Sequence, residues 1–126
     1  MFEDNDRENR GRAFVPLSAK PFHWFKEGKK KWELRKCGRQ YSERHIWVGR
    51  RVELRHGYRL GESLWGTVTH TLTAESLPEF FSKIDYRSVI PDAMSLEEAY
   101  EFARSILNIP EGSEMPVFAF RIELDK

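Results

Sequence analysis

The chain has 126 residues, of which 33% are charged and 40% hydrophobic, a composition typical of one soluble globular domain. No apolar run reaches the ~18 residues that a membrane span requires, and the polar first segment does not resemble a secretory signal. The single cysteine, Cys37, excludes an internal disulfide, so we expect a cytoplasmic protein that is a monomer by default and uses no metal or cofactor.

The net charge of +1 conceals a difference between the two halves of the chain. Residues 1–60 contain 16 Lys and Arg against 8 Asp and Glu, whereas residues 61–126 contain 5 against 12. This asymmetry indicates either an anionic partner for the first half or pairing of charges between the halves in the folded domain.

The first part of the chain is predicted to contain a tail, an edge strand and a helix. Residues 1–11 have no apolar periodicity and are predicted as a flexible N-terminal tail, so the folded domain is expected over residues 12–126. The apolar run 13–19 is interrupted by a proline, which favours an edge strand. A helix is expected next, with Pro21 in its first turn and a stop at Gly28.

Alternating side chains predict a strand directly after this helix. In the stretch KKWELR, Trp32 and Leu34 fall on one face of the strand, and Glu33 and Arg35 fall on the other. The apolar face is expected to pack against the core.

Further strands are expected in the middle of the chain. Residues 46–48 (IWV) suggest a brief strand, and residues 50–58 (RRVELRHGY) alternate again, with Glu53 pointing outward. Residues 63–73 have the β-branched, aromatic and threonine content typical of a strand, which favours a third strand in this region.

The last part of the chain is predicted to hold two helices and a closing strand. Helices are expected over residues 76–84 and 95–107, and Ser95 with Glu98 forms a capping box for the second. The apolar run 117–124 predicts a strand. The order β-α-β-β-β-α-α-β indicates a small α+β barrel with helices at its ends.

The stretch GKKKWELR (28–35) lies in the most basic part of the chain. Seven Lys and Arg fall within residues 26–39, together with Trp32. Lysine and arginine neutralise phosphates, and aromatic rings stack on unpaired bases, so the pattern favours an anionic ligand over a solvated basic face. Glu33 is expected to be ionised among these cations, where it either accepts hydrogen bonds from a ligand or pairs with its neighbours in the strand.

Other catalytic and metal-binding patterns are weak. Cys37 lies beside cations, which lower the pKa of a thiol, but it has no partner motif and is predicted to be incidental. The sequence contains no phosphate-binding glycine loop. A zinc site is not predicted, because metal-ligand spacing is absent from the four histidines, His23, His45, His56 and His70.

Four residues of the basic stretch match a known family motif. Gly28, Lys30, Glu33 and Arg35 form the pattern G-x-K-x-x-E-x-R at the start of a strand, after a short amphipathic helix. This pattern resembles the signature of ASCH domains, which belong to the PUA-like β-barrel superfamily. The resemblance covers roughly residues 13–124 and implies a small PUA-like α+β barrel of about five to six strands with flanking helices.

One segment departs from the family pattern. The stretch VGRRVELRHGY is similar to the family's GD-x-I/V strand, but Arg50 stands in place of the usual aspartate. The rest of the stretch keeps the alternation of a strand.

The resemblance implies RNA, single-stranded nucleic acid or a nucleotide as the ligand of a cleft lined by the motif. Lys30 and Arg35 would contact a phosphate or a base carbonyl, and Glu33 would order them or read a base amine. Other residues implied in ligand binding are Gly28 of the motif, the candidate stacking residues Trp24, Trp65 and Tyr86, and Asp85.

The same resemblance also implies a hydrolase as an alternative. One branch of the family deacetylates acetylated cytidine with a Lys, a Thr and a Glu. Its Lys aligns with Lys30 and its Thr with Glu33, a departure that removes the nucleophile, and Asp85 is the nearest counterpart of its Glu. Other members are described as ribonucleases, for which Lys30 and Glu33 would be the acid–base pair.

A third hypothesis is an interaction module without catalysis. The acidic segment EEAYE (97–101) would contact a basic protein, although a solvated helix face also explains it.

Overall fold

The computed structural model describes residues 11–57 and 61–126, so the predicted N-terminal tail lies outside the described residues apart from Gly11. In these ranges no helix is long and apolar enough to cross a membrane. In chain order the elements are β1 (Ala13–Leu17), α1 (Ala19–Lys26), β2 (Trp32–Lys36), β3 (Arg51–His56), β4 (Ser63–Ala74), α2 (Leu77–Lys83), a 3-10 helix (Tyr86–Ser88), α3 (Leu96–Leu107) and β5 (Val117–Leu124).

The five strands form one curled sheet in the order β1-β3-β4-β5-β2. β1 pairs with β3 in parallel, and the other neighbours are antiparallel. The sheet with its three α-helices is a half-barrel of the α+β class, which confirms the predicted PUA-like fold class. β1 and β2 are the two edge strands, and the opening of the half-barrel lies between them.

The closing strand β5 is buried on both faces, which explains why its VFAF run shows no alternation. Val117 and Ala119 belong to the apolar cluster that packs the sheet against α2 and α3. Phe118 and Phe120 belong to a second cluster, on the inner face of the sheet with β1 and α1. Two apolar layers therefore share this strand.

The predicted strand at residues 46–48 is wrong. This segment follows a turn in which the Ile46 amide donates to Ser42 O, and Gly49 then takes a left-handed conformation (φ 97°). Because the backbone groups are used in turns, no strand pairing forms. Ile46 is buried in the inner cluster, whereas Trp47 and Val48 are exposed.

The outward position predicted for Glu53 is also wrong, because Glu53 is only 4% exposed. The side chains of Arg12, Arg55 and Ser63 surround it on its face of the sheet. The Glu53 carboxylate accepts hydrogen bonds from Arg12 at 2.8 Å, Ser63 at 2.7 Å and Arg55 at 2.5 Å. Both guanidinium groups also lie over the Phe14 ring.

Gly66 on β4 allows β5 to approach closely. A Cβ atom at this position would lie 2.6 Å from Glu123 O and 2.8 Å from Ile122 Cγ2, and the first of these is backbone that cannot turn away. We expect Gly66→Ala to destabilise the protein by about 1–3 kcal/mol because of this overpacking. Urea unfolding measures the change.

The matched control for this prediction is Gly38→Ala. A Cβ atom at Gly38 would meet no other atom within 4 Å, and the φ angle of this residue is not positive. We expect this variant to stay within about 0.5 kcal/mol of the parent protein. Equal effects of the two substitutions would show that the close contact at Gly66 is unimportant.

Candidate ligand-binding site

A cavity of about 250 Å³ opens between the two edge strands, at the open side of the half-barrel. One side of it is formed by the end of β1 and the start of α1, and the other by the first residues of β2. α3 and the segment after the 3-10 helix cover it. Its lining residues include Pro16, Leu17, Trp24, Lys30, Glu33, Leu34, Arg35, Val89, Ile90, Phe102, Ala103 and Ile106.

The end of α1 positions Lys30 at the floor of this cavity. Gly28 takes a left-handed conformation (φ 77°), which ends the helix. The amides of Lys29 and Lys30 then both donate to Trp24 O, at 2.9 and 3.1 Å. This turn fixes the backbone directly before β2, and the Lys30 side chain is only 6% exposed.

The Lys30 ammonium group is held by two oxygen atoms. Nζ donates to Val89 O at 2.6 Å and lies 3.4 Å from Glu33 Oε1. It also lies 5.5 Å from the centroid of the Phe25 ring. The side chain is therefore fixed within the cavity wall instead of extending into solvent.

Glu33 lies between two cations and is only 6% exposed. Besides Lys30, it accepts a hydrogen bond from Arg35 Nε at 2.7 Å, and Arg35 Nη2 lies 2.6 Å from its Oε2 atom. Glu33 therefore pairs with neighbouring cations, which is one of the two alternatives left open by the sequence, and it also lines the cavity.

Arg35 joins the two edges of the sheet. Its Nη2 atom donates to Pro16 O of β1 at 3.0 Å, and its Nη1 atom donates to the Tyr41 hydroxyl at 2.9 Å. The guanidinium also lies 4.8 Å from the centroid of the Tyr41 ring. Since β1 and β2 do not pair as strands, this side chain bridges the opening of the half-barrel and orients Glu33.

Burial lowers the pKa of Lys30, and the repulsion of Arg35 adds to this, while the attraction of Glu33 opposes it. When Lys30 is protonated, two cations face a single carboxylate, so these three side chains carry a net positive charge. They present a donor and an acceptor beside an apolar wall that includes Trp24. This combination suits a ligand with its own carbonyl and amine groups.

The structure brings four of the sequence-predicted site residues together: Trp24, Lys30, Glu33 and Arg35 all line the cavity. The others lie elsewhere. Gly28 shapes the turn before β2. Trp65 lies on β4, with the Arg51 guanidinium over its ring at 5.8 Å.

Tyr86 and Asp85 also lie outside the cavity lining. Tyr86 packs, partly buried, against the apolar cluster under the helices. Asp85 is exposed and caps the 3-10 helix by accepting a hydrogen bond from the Arg87 amide at 3.0 Å. Its carboxylate has no contact with Lys30 among the hydrogen bonds and ion pairs of the described residues.

Sequence reasoning missed several residues of the site. The Val89 carbonyl holds Lys30, but a backbone oxygen has no sequence signature. Tyr41 and Pro16 hold Arg35 from a loop and from the opposite edge strand. Phe102 and Ile106 cover the cavity from α3, and their spacing of four residues on one helix face is the only signal that marks them.

Other candidate reactive groups lie apart from the cavity. Partial burial raises the pKa of the Cys37 thiol, so the neighbouring cations do not activate it. Within residues 11–57 and 61–126, no three His, Cys, Asp or Glu side chains are grouped so as to hold a metal ion.

The curled five-stranded sheet with a cleft between its edges defines the class of small PUA-like barrels. No protein-family model and no curated protein matches the sequence. Solved structures do match the fold. Hypothetical protein PH0355 is similar with a TM-score of 0.73 and 24% identity, over 90% of this chain and 99% of that one.

Two further structures have the same fold. ASCH from Zymomonas mobilis matches with a TM-score of 0.60 and 16% identity, over 90% of this chain and 68% of that one. Protein PF0455 from Pyrococcus furiosus matches with a TM-score of 0.62 and 24% identity, over 90% and 96%. The chain therefore has an ASCH-like fold, as the resemblance of its motif implies.

Proposed function

We propose that the protein binds RNA or a nucleotide, with one base in the cavity between the edge strands. The observation that carries this proposal is the convergence of Lys30, Glu33 and Arg35 on that cavity. An ammonium group donates to a base carbonyl, and a carboxylate accepts from a base amine, so the pair is complementary to the edge of a nucleobase.

The size and lining of the cavity support a single base. Its volume of about 250 Å³ is smaller than the ~300–1,000 Å³ of sites for drug-sized ligands. Trp24, Leu34 and Phe102 provide apolar surface for the faces of a ring. An unpaired base fits this description better than a duplex, in which base edges are already paired.

Arg35 has a positioning role in this proposal. All three of its nitrogen atoms already contact Glu33, Tyr41 or Pro16. It therefore holds Glu33 in place while Lys30 and Glu33 contact the base. The ASCH-like fold and the G-x-K-x-x-E-x-R motif agree with a ligand of this class.

Replacing Lys30 by methionine tests the proposal. Methionine keeps the unbranched apolar stem and removes the ammonium group. Hydrogen bonds to charged groups contribute about 1.5–3 kcal/mol, so we expect the affinity for single-stranded RNA or mononucleotides to fall roughly 10- to 150-fold. Fluorescence anisotropy at low salt measures RNA binding, and calorimetry measures mononucleotide binding.

Lys83→Met is the charge-matched control. Lys83 lies on α2, is exposed, and pairs only weakly with Glu79 at 3.8 Å. We expect this variant to bind like the parent protein. If the two lysine variants bind RNA and mononucleotides equally well, and both remain folded by circular dichroism, the cavity is not the binding site.

A second candidate function is hydrolysis of RNA or of a modified nucleoside. It is favoured by one observation: burial lowers the pKa of Lys30, which lies 3.4 Å from Glu33 and so forms a candidate proton-transfer pair. Turnover of RNA or an acylated nucleoside that disappears in Lys30→Met would establish this function. Binding without turnover would leave the protein as a binding domain.

A further inference from the structure

A second depression, of about 490 Å³, adjoins the cavity and shares Pro16 and Arg35 with it. We call it the arginine groove. The contact between Arg35 and Pro16 thus separates the groove from the cavity between the edge strands. The polar side chains along the groove are those of Arg12, Arg35, Gln40, Tyr41, His45 and Arg50.

The arginine groove is positive because three arginines line it, while no aspartate or glutamate is among its described lining residues. Two of its arginines are paired with buried carboxylates, Arg35 with Glu33 and Arg12 with Glu53. These pairs hold the guanidinium groups in place and offset their charges only in part, because each carboxylate also contacts a second cation, Lys30 or Arg55. The third arginine, Arg50, adds to the positive charge of the groove.

Arg50 carries a charge that no carboxylate offsets within the described part of the chain. Its hydrogen bonds go to backbone carbonyls: Nε donates to Gly11 O at 3.0 Å, Nη2 to Arg12 O at 3.1 Å, and Nη1 to His45 O. Carbonyl groups fix the orientation of a guanidinium without neutralising it. Arg50 is therefore a preorganised cation at the groove.

An exposed aromatic ring lies next to this cation. The Arg50 guanidinium lies 4.6 Å from the centroid of the Trp47 ring, and Trp47 is 49% exposed. An exposed tryptophan beside an arginine forms a platform on which a base stacks, with the cation adding to the attraction. The adjacent Val48 is 60% exposed and extends the apolar surface.

We propose that the groove binds the phosphate that follows the base in the cavity, and that Trp47 stacks on the neighbouring base. The inference rests on the proposed function and deepens it, since it assigns a phosphorylated, single-stranded ligand in place of a free nucleoside. Phosphate contacts fix the register of a nucleic acid, and aromatic stacking is tolerant of sequence. The ligand is thus a single strand that places one base in the cavity and is held by a backbone phosphate in the groove.

A series of ligands that differ only in phosphate tests the inference. A nucleoside, its 5′- and 3′-monophosphates, and a single-stranded octanucleotide are titrated against the full chain. We expect at least one monophosphate to bind about tenfold more tightly than the nucleoside. Arg50→Gln is expected to reduce this ratio at least fivefold and to lower the salt dependence of octanucleotide binding by about one phosphate contact.

Two further variants complete the design. Trp47→Ala is expected to weaken octanucleotide binding about fivefold or more, because the ring on which the second base stacks is removed. Monophosphate binding should not change, since a single nucleotide cannot reach this second stacking position. Arg51→Gln is the matched control, since Arg51 adjoins Arg50 in sequence but pairs with Asp125 outside the groove, at 2.6 Å. It is expected to leave every ligand ratio unchanged.

Arg50→Lys distinguishes a loss of phosphate binding caused by the missing charge from one caused by a disturbed local structure. Lysine cannot reproduce three hydrogen bonds to carbonyls but keeps the charge, so it should retain most of the preference for the monophosphate if the charge is what binds. Thermal unfolding of each variant shows whether the fold is intact.

The outcomes separate the inference from the proposed function. If nucleoside binding depends on Lys30 but phosphate adds nothing to affinity, the inference is wrong and the proposed function stands. Equal ratios in Arg50→Gln and Arg51→Gln also overturn the inference. If no ligand in the series binds in a Lys30-dependent manner, the proposed function itself fails.

Discussion

Replacing Glu33 by glutamine is expected to destabilise the protein by about 3 kcal/mol, because breaking a buried ion pair leaves an uncompensated charge. Glu33 is the only described carboxylate that contacts Lys30, and it also orients Arg35. Without its charge, a buried ammonium and a partly buried guanidinium lie near each other and lack the carboxylate that both contact. Urea unfolding at pH 7 measures the loss, and nucleotide affinity is expected to fall at least tenfold in the same variant.

A double variant separates the structural role of Glu33 from its role in binding. When Lys30→Met is added to Glu33→Gln, the unpaired ammonium disappears, so part of the lost stability should return. We expect a coupling energy between the two sites of about 1–3 kcal/mol, within the range for residues in contact. Nucleotide binding should remain lost, since the double variant lacks both groups that are proposed to contact the base.

The control for this cycle is Glu79→Gln. Glu79 is the carboxylate of an exposed ion pair with Lys83, at 3.8 Å, and such pairs contribute little. We expect a change within about 0.5 kcal/mol. Strictly additive effects of the Glu33 and Lys30 substitutions would show that the two side chains do not act as a unit.

The alternation of KKWELR was sufficient to predict which side chains share a face in β2. Leu34 packs with the cluster under the helices, while Glu33 and Arg35 lie on the opposite face. The alternation could not predict that Glu33 is buried, because its burial results from contacts with residues distant in sequence. β1 supplies the carbonyl that holds Arg35, and α3 covers the cavity from more than sixty residues away.

Local signals predicted the helices well. Ser76 and Ser95 accept hydrogen bonds from the amides of Glu79 and Glu98, as expected of N-caps. These bonds form within one turn of a helix, so the sequence alone determines them. The brief strand expected at residues 46–48 failed because strand formation requires a partner with free hydrogen-bonding groups, which composition does not reveal.

Which of the aromatic residues lines the cavity could not be predicted from the sequence either. Trp24, Trp65 and Tyr86 all have the composition of a stacking residue, but only Trp24 lines the cavity. Trp47 falls within the strand that the sequence predicts at residues 46–48, but in the structure it is an exposed ring beside Arg50. Where an aromatic side chain lies relative to a cleft depends on how the elements pack, and no local pattern encodes that.

Acid is expected to weaken the protein through Glu53, with a loss on the order of 3 kcal/mol as the pH falls from 4.5 to 2. Burial raises the pKa of this carboxyl, but hydrogen bonds from Ser63, Arg12 and Arg55, together with the charge of Arg55, outweigh burial and lower the pKa from 4.5 to about 2. A carboxyl group whose pKa is lower in the folded than in the unfolded protein stabilises the folded state at pH values above its unfolded pKa. That contribution is fully present above about pH 4.5 and is lost as the pH falls through the folded value.

Glu53→Gln tests this assignment. The variant should lose on the order of 3 kcal/mol at pH 7. The difference from the parent protein should shrink as the pH approaches 2, because Glu53 is then neutral in the unfolded state and is becoming protonated in the folded state as well. Urea unfolding at several pH values between 7 and 2.5 measures it. Asp125→Asn, which breaks the exposed pair with Arg51, is the control and should change stability by no more than about 1 kcal/mol.

The two buried carboxylates also serve as controls for each other. Glu53 and Glu33 are both nearly inaccessible and both hold an arginine, but only Glu33 lines the cavity between the edge strands. Glu53→Gln should therefore lose as much stability as Glu33→Gln while keeping its affinity for a nucleoside at a temperature where both variants are folded. If nucleoside affinity falls equally in the two variants, the loss follows from a weakened fold, and Glu33 has no direct part in reading the base.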